Sequence, residues 1–146
     1  MKAYLTYGVG HGSKVIAMQN AQADANINKI KINKLPKLEI PKCEVIEDKT
    51  ELARLKGEFP GIVLQNCQKG EVAASLVLGV TESKIIIGHG KAGGLVKAER
   101  IAEFEVRQAI REQQLELDGI DYHIAADATS MKNQFSCAIV ALVFVE

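Results

Sequence analysis

The run of residues 138–145 is the strongest constraint in this chain, because every side chain in it is apolar. It is far short of the ~20 residues that a membrane-crossing helix requires. A strand without polar alternation is covered on both faces, so residues 136–144 are expected at the centre of a sheet. At 146 residues the chain is long enough to build such layers as a single domain, 1–146, burying roughly 70% of its unfolded surface. With 47% hydrophobic and 25% charged residues, its composition is that of a globular chain and not a disordered one.

Residues 5–9 read as a strand closed by Gly8, Gly10 and Gly12, a tight turn whose glycines satisfy backbone geometry. Ser13 is a good N-cap for a helix over 14–25, where Ile16, Ala17, Asn20, Ala21 and Asp24 recur at helical spacing. The alanines on that face allow close approach to whatever lies beneath. Ile27, Ile30 and Ile32, with Lys29 and Lys31 between them, predict a strand with one wet face. Pro36 and Pro41 bracket an interrupted extended stretch, residues 44–46 pair briefly, and Thr50 caps a short helix around 52–55. Residues 57–61 read as a turn. Residues 62–65 and 71–81 look like neighbouring strands joined by Lys69-Gly70, and 84–87 adds another. A helix over 95–117 carries Ala98, Ile101, Ala102, Val106, Ala109 and Ile110 on one side, with Glu103 and Arg107 four apart on the other. Residues 122–126 and 136–144 close the chain as strands. No linker or internal repeat is evident. This pattern predicts an α+β sandwich with helices on antiparallel-rich sheet, the crossover after Ile87 leaving room for some parallel pairing.

Lys plus Arg and Asp plus Glu stand at 18 each, so no cationic excess supports a grip on nucleic acid. Neutrality and small aliphatics favour self-association. The first residues lack the apolar core of a signal peptide. Cys43, Cys67 and Cys137 are odd in number and outside metal-ligand spacing. A reduced, cytoplasmic protein without membrane segments is the expectation.

Residue patterns alone give no catalytic signature. Gly8-x-Gly10-x-Gly12 lacks the dinucleotide spacing, and the glycine-rich residues 89–94 lack the order of a phosphate loop. The latter are expected as a mobile loop with a solvated Lys91, of the kind that edges binding clefts. His11, His89 and His123 have no metal-ligand spacing. Asp118, Asp121 and Asp127 fall near the last strands, as a solvated surface or as paired carboxylates. None of Ser13, Ser75, Ser83, Ser130 and Ser136 sits in a nucleophile elbow. Cys137 reads as a small core residue.

Several segments carry a resemblance. Val106-Arg107-Gln108-Ala109-Ile110-Arg111, Leu115-Glu116-Leu117-Asp118-Gly119-Ile120-Asp121 and Ser136-Cys137-Ala138-Ile139-Val140-Ala141 follow one another near the C-terminus. Gly12-Ser13, the alanines at 17, 21 and 25, and Lys29-Ile30-Lys31-Ile32 entering a proline-containing segment stand in the first half. In these residues and in the order of elements the chain resembles the pyruvoyl-dependent arginine decarboxylase family. The resemblance implies an αββα-type sandwich and a homotrimer with sites between subunits. It also implies a self-cleaving serine that leaves a pyruvoyl electron sink, comparable in role to pyridoxal phosphate.

Three positions depart from the family pattern. The family's serine pair is replaced by Asn33-Lys34, its helix acid falls near Gln19, and its catalytic glutamate falls near Gly88 or Gly90. A pyruvoyl group is not formable at Lys34, because cleavage needs a side-chain nucleophile, and no other cofactor is expected. Cys43 or Cys67 as a relocated nucleophile, or a buried Lys34 forming a Schiff base, are the rescues. The expectation is an unprocessed, non-catalytic relative with cleft positions Gln19, Asn33, Lys34, Gly88 and His89. The alternatives are an active decarboxylase making agmatine, and a regulatory or scaffolding subunit of an active paralogue.

Overall fold

A computed structural model describes residues 1–131 and 133–146, the side chains of Ile120 and Asp121 excepted. The chain folds in the order β1 (Lys2–Gly12), α1 (Lys14–Asp24), β2 (Ile30–Lys34), β3 (Glu39–Pro41), β4 (Glu44–Ile46), α2 (Lys49–Leu52), β5 (Gly57–Lys69), β6 (Val72–Thr81), β7 (Lys84–Ala92), α3 (Leu95–Glu112), β8 (Leu117–Ala128) and β9 (Phe135–Val145). One sheet has the order β2-β5-β9-β1-β4, and the second has the order β3-β7-β6-β8. The class is α+β, as the sequence predicts.

The apolar C-terminal strand takes the central place its composition demands. β9 runs antiparallel to both β1 and β5, and residues 136–144 are all buried. Its side chains alternate between two cores. Ala138, Val140 and Leu142 face the second sheet, together with Leu76, Leu78, Ile85 and Ile87. Cys137, Ile139, Ala141 and Val143 face α1, with Ala17, Ala21 and Ala25. A third cluster joins Val77 and Ile86 to Ala102, Val106 and Ile110 of α3. The layers therefore run helix, sheet, sheet, helix. Each fully buried Leu or Ile contributes about 1.5–3 kcal/mol relative to exposure.

The glycines before the two long helices do not make the expected turn and loop. Gly8 and Gly10 lie within β1, and Gly88 and Gly90 within β7. They are the places where each helix touches its strand. A Cβ on Gly8 would collide with the backbone of Ala21 and Ala25, and one on Gly10 with that of Ala17 and Ala21. A Cβ on Gly88 would collide with Ala102, and one on Gly90 with Ala98 and Ala102. Of these glycines and Gly12, only Gly12 has a positive φ, +133°. A strand ending in Gly-x-Gly and followed by an alanine-faced helix thus occurs twice, once per sheet, a correspondence too short in sequence to read as a repeat.

Other expectations are corrected. Residues 57–61 are not a turn but the start of β5, where they pair in parallel with β2. β5 and β6 are not neighbours: the chain leaves one sheet at Gly70 (φ +91°) and enters the other. Asn66 spans the gap, its amide donating to the carbonyls of Ala73 at 3.2 Å and Ala92 at 3.0 Å. α3 ends at Glu112 and not at 117. Asp48, not Thr50, caps α2, and its carboxylate is held below the ordinary range by the hydrogen bonds from Thr50. Parallel pairing occurs between β1 and β4 and between β2 and β5, whereas the crossover through α3 places β7 and β8 on opposite sides of β6.

The expectation of three reduced cysteines is also corrected. Cys67 and Cys137 face each other across β5 and β9 and are joined as a disulfide, leaving Cys43 free. Cys137 is a core residue as expected, but a bonded one.

Candidate ligand-binding cavity

β2 pairs with β5 only as far as Lys34 opposite Gly61. Beyond that register the edge of β5 has no strand beside it, and a cavity of about 260 Å³ opens there. Ile32, Lys34, Gly61, Ile62, Val63, Leu64 and His89 line it. Lys34 and His89, singled out separately in the sequence, are thereby brought together from different sheets. His89 also lines an adjoining cavity of about 390 Å³, which includes Glu39, Glu105 and Gln113.

His89 is held by Glu105 of α3. The second sheet loses its edge strand here, because β3 pairs with β7 only through Ile86. The Ile87 amide donates to the Leu38 carbonyl at 2.8 Å. The next outward amide, that of His89, donates to Glu105 Oε1 at 3.3 Å, so the carboxylate caps an exposed strand edge. The same oxygen lies 3.1 Å from His89 Nδ1, and both side chains are about one-third exposed, at 37% and 34%. In the neutral imidazole a carboxylate there selects the Nδ1–H tautomer, in which Nε2 is the acceptor. Glu105 escapes the sequence reading because it stands 16 residues from His89 on another element, with no spacing that links them.

Three other cleft positions are not brought to this cavity. Gly88 faces α3 and is no cleft wall. Asn33 lies on the opposite face of β2 from Lys34 in the strand alternation, donating to Glu58 Oε2 at 3.4 Å. Gln19 is exposed on α1, apart from the residues that line the cavity. Lys34 is itself exposed, so the burial invoked for a Schiff-base lysine is not met.

Most of the candidate serines are occupied elsewhere. Ser13 caps α1 through Ile16 N at 3.3 Å. Ser75 donates to the Ile124 carbonyl at 3.2 Å. Ser130 and Ser136 bind the Gly70 turn, and Ser83 lies exposed between β6 and β7. Burial pushes the Cys43 thiol up, away from the thiolate form. Asp118 pairs with Lys42 at 3.8 Å and Asp127 is exposed, while the Asp121 side chain is outside the described residues. His11 Nε2 lies 2.9 Å from the Thr129 carbonyl, and His123 is exposed.

Among the described residues no group of three or more His, Cys, Asp or Glu side chains is arranged to hold a metal ion. None of their helices is long and apolar enough to cross a membrane. No known protein-family model and no curated protein sequence matches this chain.

Proposed function

We propose that this protein is an unprocessed, non-catalytic relative of the pyruvoyl-dependent arginine decarboxylases. The observation that carries the reading is the lining of the cavity at the end of β2. It holds Lys34 and His89 among apolar walls and contains neither a hydroxyl nor a thiol. Self-cleavage begins with a side-chain nucleophile attacking the preceding carbonyl, and Asn33-Lys34 offers none. The cysteine rescue is weakened as well, because Cys67 is tied to Cys137 and Cys43 lies between β3 and β4. The helix–sheet–sheet–helix layering supports the family reading without establishing an activity.

A homotrimer is part of this proposal. Exposed apolar side chains on α1 and α3, among them Ile16, Ile101 and Phe104, support self-association. A cytoplasmic location is also part of it, and the Cys67–Cys137 bond is the observation that weighs against it, since reducing compartments keep most thiols free.

The test treats one sample, its Cys67–Cys137 bond already reduced, with borohydride or hydroxylamine, and incubates a separate untreated sample with arginine. The reading expects no mass change from either reagent and no release of carbon dioxide. A modified carbonyl with agmatine formation would establish the active alternative.

A further inference from the structure

We propose that the cavity between β2, β5 and β7 binds a small 2-hydroxy carboxylate, its carboxylate paired with Lys34 and its hydroxyl donating to His89 Nε2. This deepens the reading above and rests on it, since the uncleaved Lys34 is one of the residues that line the cavity.

Three features select this class. First, the volume of about 260 Å³ lies below the range of roughly 300–1,000 Å³ typical for drug-sized ligands. It suits an acid of a few heavy atoms. Second, Lys34 is the cation in a lining that contains no carboxylate, which favours an anion. Third, Glu105 Oε1 stands 3.1 Å from His89 Nδ1. With the proton drawn to Nδ1, Nε2 presents a lone pair and takes a donor. Among the described residues only Glu105 engages the ring. A cation for the carboxylate and an acceptor for a neighbouring hydroxyl, set between Ile32, Ile62 and Leu64, match a 2-hydroxy acid. Glu105 acts through His89 and is a positioning residue.

The experiment is a ¹H–¹⁵N NMR titration of the intact full chain with sodium L-lactate and, separately, with sodium propionate, which lacks the hydroxyl. Saturable shifts at Lys34, Val63 and His89 are expected with lactate, and binding about tenfold weaker with propionate, the worth of one hydrogen bond. K34M should abolish binding of both. E105L should bring the two acids to similar affinity, whereas E105Q, whose amide oxygen can still face Nδ1, should keep the preference. K31M should change nothing, because Lys31 pairs with Glu58 at 3.5 Å on the other face of β2. Equal binding of lactate and propionate by the wild-type protein, or no saturable shift, would overturn the proposal without reference to any variant. A preference that survives in E105L would overturn the role of Glu105. The mass of the same sample separates the two readings: a cleaved chain defeats both, whereas an intact chain without preference defeats only this one.

Discussion

Gly10 sits so tightly against α1 that a Cβ built on it would stand 2.6 Å from the backbone nitrogen of Ala21 and nearer still to the carbonyl oxygen of Ala17. The second sheet repeats the relationship, with Gly90 against Ala98 and Ala102. These contacts are with backbone, which cannot swing aside. G10A and G90A are therefore each expected to destabilise the fold by about 1–3 kcal/mol, the usual cost of overpacking. Gly93 supplies the contrast, since a Cβ there would meet only the Glu71 carbonyl oxygen at 3.7 Å. G93A should lie within about 0.5 kcal/mol of wild type. Urea denaturation of the three variants checks this, and equal stabilities would contradict the packing account.

The connection of β5 to β9 through Cys67 and Cys137 sets the number of reactive thiols. In denaturant without reductant only Cys43 should react with a thiol reagent, and after reduction all three cysteines should. Three reactive thiols in a sample never exposed to reductant would show that the bond is not formed. The C67S/C137S pair should lower stability, by about 2–4 kcal/mol if this bond behaves as disulfides typically do.

Glu39 is a partly buried carboxylate whose titration should be felt in stability. The Lys84 ammonium, 2.8 Å from its Oε2, holds the Glu39 carboxyl below its ordinary value, against the opposing effect of burial. A carboxylate with a depressed folded-state pKa adds stability above its unfolded value of about 4.3, and that stability is lost as pH falls through the lower folded value. E39Q should therefore melt below wild type at neutral pH, by about 1 kcal/mol or less for a single ion pair. The difference should close in acid. A gap that persists there would assign the effect to something other than charge.

The sequence is most legible where one periodicity decides the answer. The unbroken apolar run predicts the centre of a sheet, and β9 occupies it. The spacing of Ala98, Ala102, Val106 and Ile110 predicts the buried side of α3, and all four are buried. Ile101, assigned to that side, is 39% exposed because it flanks the contact line. The glycines misled for a physical reason: a residue without a Cβ suits a positive φ and a close backbone approach equally well. Only the packed helices distinguish the two. Lys69-Gly70 looks like a hairpin turn because local spacing does not reveal that the chain changes sheets there. Of the candidate cleft, Lys34 and His89 stand out as residues and line one cavity, whereas Gly88 faces the helix behind the strand. Glu105 is a surface glutamate in sequence and becomes the partner of His89 only through the packing of α3 on β7.

Intact mass under denaturing, reducing conditions tests the central claim most directly. A non-processing chain predicts one species at the full-length 15.9 kDa, with no carbonyl-reactive fragment. Two complementary fragments, the larger beginning with a blocked ketone, would contradict the account and show that a nucleophile other than residue 34 cleaves the chain.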